Sequence, residues 1–135
     1  MTVPGGRLVA TVKLSTDRDV ARARQAVSRA FDDLKARAIR KTRFVTAVSE
    51  IARNAVTHGR GGEMSIFVHD RPPGVSVICS DNGPGIENTE QAMSDGFSTG
   101  RSMGKGLGGA RRLADTFELV SSPGSGTVVR MSGTA

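Results

Sequence analysis

The sequence predicts an α+β fold, in which a mixed, mainly antiparallel sheet forms one layer and helices on one of its faces form the other. Five segments alternate apolar and polar residues as strands do, and three have the apolar spacing of helices. Two of the helical segments follow one another directly. The order β-α-α-β-β-loop-α-β-β therefore differs from the regular alternation of parallel α/β folds, and we expect a two-layer sandwich.

The first part of the chain predicts one strand followed by two helices. Thr16 and Asp19 resemble a capping box at the start of the first helix, and the second helix is expected at Phe44–Thr57. Alternation predicts a strand at Leu8–Leu14, and its buried face would carry Leu8, Ala10, Val12 and Leu14.

The second part of the chain predicts two hairpins, separated by a loop and a short helix. Pro and Gly between the strands of each pair favour tight turns. The strand of alternating residues 64–69 would pair antiparallel with the next strand. The remaining elements are, in order, a strand at Val75–Ser80, a loop at residues 87–105, a helix at Gly106–Asp115, and strands at Phe117–Ser121 and Thr127–Met131.

Composition restricts the class of protein. A chain of 135 residues is expected to form one domain spanning residues 1–135. It contains no apolar run near the roughly 20 residues that a membrane helix needs, and its start does not resemble a secretion signal. The lone Cys79 excludes an intramolecular disulfide, so we expect a protein of the reducing cytoplasm with no membrane partner.

The net charge of +6 raises the question of nucleic-acid binding. The basic residues are spread among acidic ones, and no aromatic residues interleave with them for base stacking. We therefore expect no nucleic-acid partner. A basic surface could instead attract an acidic protein or a nucleotide.

Glu50 and Asn54 lie one turn apart on the predicted second helix. Residues four apart have Cβ atoms roughly 5–6 Å apart, so both side chains project from one face. A carboxylate can accept a proton or orient water, and an amide oxygen can bind a hard cation such as Mg²⁺. Most such pairs simply belong to a solvated helix face. Two glycine-rich segments further along the chain make a functional role for this pair more plausible than it would be alone.

The first glycine-rich segment, Asp81–Ile86, directly follows a predicted strand. Gly83 and Gly85 permit a close approach of the backbone to a ligand, and Pro84 stiffens the turn. Asp81 at the strand end could accept a hydrogen bond from a ligand amine. An ordinary Asx turn is the alternative interpretation.

The second glycine-rich segment, Gly104–Gly109, opens the next predicted helix. Exposed amides and the helix dipole favour an anion there, and Lys105 adds a positive charge that could reach a phosphate. The segment is not a dinucleotide fingerprint, because it follows a loop and no acidic residue lies about 20 positions further on. Its spacing also differs from that of a Walker A loop.

Together, SEIARNAVTHG, DNGPGI and GKGLGG resemble the N, G1 and G2 boxes of the GHKL ATPases and kinases. The resemblance extends over about residues 7–132 and implies the Bergerat α/β sandwich. Within that superfamily, AVSEIARN, and DGFSTG followed by GxGLGGxRRL, are most similar to the RsbT-type switch serine/threonine kinases of the stressosome. The RsbW-type anti-sigma kinases are more distant.

The resemblance implies a role for each matching residue. Glu50 would be the general base for the substrate hydroxyl, and Asn54 would hold a Mg²⁺ ion that bridges the phosphates of ATP. Asp81 would accept from the adenine amino group, with Gly85 behind the base, and the Thr127 hydroxyl would support the adenine end.

The glycine-rich segments would complete the site, and residues 87–105 would form the ATP lid. Lys105 is not a fixed feature of the family, so no catalytic role is assigned to it. The further ATP-binding residues that the resemblance implies are Gly83, Ile86, Gly104, Lys105, Gly106, Leu107 and Gly108.

Three functions follow from the resemblance as expectations. The first is an RsbT-type kinase that phosphorylates a STAS-domain antagonist or scaffold protein, then activates a metal-dependent protein phosphatase upstream of a sigma factor, and could work within a large signalling assembly. The second is an RsbW-type anti-sigma factor that binds a sigma factor directly. The third is a non-catalytic module in which ATP only sets the lid conformation.

Overall fold

Five strands and four helices make up the described part of the chain, which comprises residues 1–93 and 106–135 of a computed structural model. No helix in these two ranges is long and apolar enough to cross a membrane. The elements are β1 (Arg7–Leu14), α1 (Asp17–Asp33), α2 (Ala38–Thr57), β2 (Gly62–Asp70), β3 (Pro73–Asp81), α3 (Thr89–Ala92), α4 (Leu107–Leu113), β4 (Thr116–Ser121) and β5 (Thr127–Thr134).

The five strands form one sheet in the order β1-β2-β3-β5-β4, and all four pairings are antiparallel. Strand β5 lies between β3 and β4, so β3 and β5 occupy the interior of the sheet. Asp81 at the end of β3 pairs with Thr127 at the start of β5. The predicted α+β sandwich is confirmed, with a sheet that is purely antiparallel among the described strands.

The core lies between one face of the sheet and the helices α1 and α2. Phe31 of α1 and Phe44 of α2 meet edge to face, with ring centroids 5.6 Å apart. Such a pair stabilises a fold by roughly 0.5–1.5 kcal/mol beyond its buried area. On the sheet, the buried face carries Met64, Ile66, Val68, Val75, Val77, Cys79, Val129 and Met131.

The start of α1 shows why the chain turns at that point. The carboxylate of Asp19 accepts hydrogen bonds from the backbone amides of Ser15 at 2.8 Å and Thr16 at 3.0 Å. These bonds satisfy amides that have no partner within the helix. The capping box predicted from Thr16 and Asp19 is confirmed.

Two expectations about the first half of the chain are corrected. Helix α2 begins at Ala38, six residues earlier than predicted. The prediction missed this start because the first turns carry no apolar stripe, and Ile39 is 69% exposed. Leu8 is also exposed, because a register shift between Leu8 and Ala10 moves its side chain to the face shared with Phe67. A bulge of this kind reverses the side-chain alternation and leaves no signature in the periodicity.

The predicted loop and the helix after it also differ in detail from expectation. A four-residue helix, α3, lies in the expected loop, and the side chain of Asn88 caps it by accepting from the amide of Gln91 at 2.9 Å. Helix α4 spans Leu107–Leu113 and is shorter than predicted at both ends. The part of the predicted ATP lid at residues 94–105 lies outside the described residues.

Candidate functional site

One cleft brings together side chains from four distant parts of the chain. It lies between the second half of α2, the turn that follows β3, the start of α4 and the start of β5. The residues that line it are Ile51, Asn54, Ala55, His58, Gly59, Cys79, Asp81, Pro84, Gly85, Ile86, Leu107, Thr127 and Val129. A largely apolar cleft with a few convergent polar groups is the usual form of a small-molecule site.

Asp81 lies at the polar end of this cleft. Its Oδ1 atom accepts from the amide of Gly83 at 2.9 Å, so the Asx turn considered from the sequence is present. Burial raises the pKa of Asp81, while backbone hydrogen bonds from Gly83 and Thr127 oppose that rise. The same carboxylate therefore closes the turn and presents a hydrogen-bond acceptor to the cleft.

Gly59, at the end of α2, lies directly against the Asp81 side chain. A Cβ atom at Gly59 would lie 2.5 Å from Cγ of Asp81, which is closer than two carbon atoms can approach. The amide of Asn82 also donates to the Gly59 carbonyl at 3.1 Å. This packing joins residues that are distant in the sequence, and no sequence pattern indicated it.

Ser121, at the end of β4, joins the turn after β3 to the last hairpin. Its hydroxyl accepts from the Ile86 amide at 2.8 Å and donates to the Gly126 carbonyl at 2.8 Å. It also lies 2.9 Å from the hydroxyl of Thr127. Ser121 was missed from the sequence, because a serine at a strand end carries no motif, yet it positions both Ile86 and Thr127.

Glu50 lies on α2 one turn before Asn54, which lines the cleft. Its side chain is 37% exposed, and its Oε1 atom lies 3.4 Å from Nη1 of Arg53. Its Oε2 atom lies against Gly106, where a Cβ atom would come within 2.4 Å of it. Gly106 also has a φ of +87°, a left-handed conformation that glycine adopts without strain.

Leu107 and Gly108, which follow Gly106, are buried at the start of α4, and Leu107 lines the cleft. The predicted site residues Gly104 and Lys105 lie outside the described residues. Of the other predicted site residues, Asn54, Asp81, Gly85, Ile86, Leu107 and Thr127 line the cleft. Gly83 packs against Gly59, and Gly106 packs against Glu50.

Cys79 lies deep in the wall of the cleft. Burial, and to a smaller extent the charge of Asp81, raise the pKa of its thiol to about 12. At neutral pH the thiol is therefore protonated, which makes it a poor nucleophile and a poor metal ligand. Cys79 therefore acts as a small buried residue of the core.

Asn54 is the predicted metal ligand and lines the cleft. No group of three or more His, Cys, Asp or Glu side chains that could hold a metal ion occurs in residues 1–93 and 106–135. Mg²⁺ does not need such a cluster, because it commonly binds through one or two protein oxygens, phosphate oxygens and water. The single amide oxygen of Asn54 fits an ion that reaches the cleft together with a nucleotide.

Comparisons with known proteins identify the family of the chain. Residues 14–133 match the model of the histidine kinase-like ATPase domain. The chain is 38% identical over 121 residues to the serine/threonine-protein kinase RsbT of Bacillus subtilis. The aligned region covers 88% of this chain and 91% of that protein. The kinase predicted from the sequence agrees with the name of this relative.

The anti-sigma F factors of Thermoanaerobacter sp. and of Caldanaerobacter subterraneus are each 36% identical over 95 residues. Each of these matches covers 64% of this chain and 65% of the relative. A family model that covers most of the chain and a relative that covers nearly all of it lead to one conclusion. The chain belongs to the family of histidine kinase-like ATPase domains.

Proposed function

We propose that this protein is a serine/threonine protein kinase of the RsbT type, which transfers the γ-phosphate of Mg-ATP to a STAS-domain antagonist or scaffold protein. The observation that carries the proposal is the position of Glu50. Its carboxylate lies one turn from Asn54, and its Oε2 atom lies against Gly106, the residue before α4. A proton acceptor is thus held beside the segment that would bind the phosphates.

The residues of the cleft divide the work of phosphoryl transfer. Asp81 accepts from the adenine amino group, and Thr127, held by Ser121, supports the same end of the nucleotide. Asn54 would hold Mg²⁺, and the ion would supply positive charge that neutralises the phosphates. Glu50 accepts the proton of the attacking hydroxyl. This chemistry depends on positioning and charge, so the protein needs no covalent intermediate.

The finer parts of the proposal concern the cellular role. We infer that the chain is a single cytoplasmic domain and that, once released by its phosphorylated antagonist, it activates a metal-dependent protein phosphatase upstream of a sigma factor. Membership of a large signalling assembly such as a stressosome belongs to the same proposal. The name and coverage of the Bacillus relative support this role.

The test is transfer of labelled phosphate from ATP to the STAS-domain substrate. Glu50→Gln keeps the size of the side chain and removes its basicity, so we expect transfer to slow by roughly 10²–10⁴-fold while ATP binding is retained. Glu63→Gln, at an exposed position on β2, is the control and should leave transfer unchanged. Equal rates for Glu50→Gln and the wild type would exclude Glu50 as the base.

The alternative is an anti-sigma factor of the RsbW type, which the 36% identity to anti-sigma F factors favours. Affinity purification with sigma factors distinguishes the two roles, because an anti-sigma factor retains its sigma factor. A third role, a non-catalytic module, becomes preferred if the chain binds ATP but yields no phosphorylated product with any partner.

A further inference from the structure

Two exposed side chains in the first half of α2, those of Ile39 and Arg43, project from the same face of the helix as Glu50. Ile39 and Arg43 precede Glu50 by eleven and seven residues. At about 100° per residue, both side chains project within roughly 20° of the direction of Glu50. At 1.5 Å per residue, they lie about 16 Å and 10 Å from Glu50 along the helix. Ile39 is 69% exposed, and Arg43 is exposed as well.

Helix α4 adds further positive charge beside these two side chains. Nη2 of Arg43 donates to the carbonyl of Arg112 at 3.3 Å, which satisfies one of the last carbonyl groups of α4. This bond brings the last turn of α4, with the exposed Arg111 and Arg112, next to α2. Hydrogen bonds from Thr134 are the main cause of the lowered pKa of Asp115, which follows α4, and the nearby charges of Arg40 and Arg43 add to this effect. Arg40 is therefore close to the end of α4, as Arg43 is.

Ile39, Arg40, Arg43, Arg111 and Arg112 therefore form one surface, which we call the docking track. It contains four guanidinium groups and one exposed aliphatic side chain. The exposed Asp115 carboxylate lies near Arg40 and Arg43, so the surface keeps a net positive charge. The track leads to Glu50, the proposed general base. Grouped positive charge raises the local concentration of an anionic partner and speeds its association.

We propose that the docking track binds an acidic segment of the protein substrate and aligns the acceptor hydroxyl with Glu50. This inference rests on the proposed kinase function. Carboxylates of the substrate pair with the arginines, and an apolar substrate side chain packs on Ile39. An extended chain covers about 3.3 Å per residue, so the acidic residues that contact Arg43 lie about three residues from the acceptor serine or threonine.

The track favours a protein over a nucleic acid. It has no aromatic side chain on which a base could stack, and stacking is a main source of affinity in single-strand binding. Arginine is enriched at protein interfaces, and the 69% exposed Ile39 adds an apolar contact beside the four guanidinium groups.

Two forms of the full-length protein test the inference. Arg40→Glu/Arg111→Glu reverses two charges of the track without removing the Arg43–Arg112 hydrogen bond. Arg18→Glu/Arg24→Glu makes the same change in net charge at exposed positions of α1. The probe is a fluorescent acidic peptide of about ten residues with one leucine and one serine, long enough when extended to span the track.

We expect the peptide to bind the wild type at low salt and to bind the track variant at least about tenfold more weakly. The α1 variant should lose less than about twofold, and ATP affinity should be unchanged in both. Raising the salt concentration should weaken peptide binding, because these charges are exposed. Ile39→Ser should reduce affinity for the leucine-containing peptide and not for one with alanine in its place.

Three results would overturn the inference: no binding of the peptide to the wild type, equal losses in the two double variants, or tighter binding of a single-stranded oligonucleotide of equal charge that is lost in the track variant. Peptide binding is measured without phosphate transfer. Binding that depends on the track, with no transfer to any substrate, would therefore contradict the kinase proposal alone.

Discussion

At the scale of single residues, the site contains two positions at which a side chain larger than that of glycine would clash with an acidic side chain. Gly59 abuts the Asp81 carboxyl group, and Gly106 abuts the Glu50 carboxylate. In each case a glycine on one element sets the position of an acidic side chain on another. The acidic residues were identified from the sequence, whereas their glycine contacts belong to the folded chain.

The raised pKa of Asp81 gives a prediction about stability. Because burial favours the protonated form, Asp81 stabilises the fold at pH values below 3.8, the ordinary pKa of an aspartate, and this contribution is lost as pH rises through the higher pKa of the folded state. Asp81→Asn keeps an acceptor for the Gly83 amide and carries no charge. We therefore expect the stability of the variant relative to the wild type to increase as pH rises through that window.

Urea unfolding at a series of pH values between about 3.5 and 7 measures this difference, since the midpoint and slope yield the free energy of unfolding at each pH. Asp70→Asn, at an exposed position on β2, serves as the control and tests whether loss of any carboxylate has the same effect. A pH-independent difference for Asp81→Asn would show that burial does not penalise the charge.

At the scale of elements, α2 contacts α4 at both ends of the shorter helix. Glu50 of α2 lies against Gly106, the residue before α4, and Arg43 of α2 donates to the carbonyl of Arg112 in the last turn of α4. Two glycines near the start of α4 differ in whether a larger side chain could replace them. Gly106 has a left-handed φ and faces Glu50, whereas a Cβ atom at Gly109 would meet nothing within 4 Å. The same substitution at these two positions therefore separates helix propensity from the positioning of Glu50.

Gly106→Ala should destabilise the fold by about 1–2 kcal/mol through the left-handed backbone, and it should slow phosphate transfer by displacing Glu50. Gly109→Ala should instead stabilise the fold by roughly 0.5–1 kcal/mol, because alanine has a higher helix propensity than glycine. Urea unfolding and transfer assays on both variants check this pair. Equal stability changes would mean that the backbone at Gly106 relaxes without strain.

At the scale of the whole molecule, the cleft joins the N-terminal helix layer to the C-terminal hairpin. Its walls run from Ile51 on α2 to Val129 on β5. A ligand that bridges these walls binds only the folded chain, so it stabilises the entire domain by mass action.

Mg-ATP at 100 times its dissociation constant should raise the free energy of unfolding by about 2.7 kcal/mol. GTP is the matched control, because its ring carries a carbonyl oxygen where ATP has the amino group that we propose Asp81 recognises. Thermal unfolding with each nucleotide at equal concentration measures the difference. Equal shifts in Tm would contradict the role of Asp81 in base recognition.

Most of the architecture follows from short-range patterns. Alternation and helical spacing predicted all five strands and the three longest helical segments in their correct order, because a buried face imposes its period on each element. The predicted start of α2 and the predicted buried face of Leu8 were wrong. An exposed helical turn has no apolar periodicity, and a bulge interrupts the alternation of a strand. The roles of Glu50 and Asn54 stay predictions until they are tested in solution.

The amino-acid sequence by itself determined the fold class and the three motif segments, because both depend on residue types at fixed spacings. Only the tertiary structure decided that Gly59 packs on Asp81, that Ser121 connects Ile86 to Thr127, and that Arg43 reaches α4. Contacts of this kind join residues far apart in the chain. They depend on how elements that are distant in the sequence pack together, which the pattern within a single element does not specify.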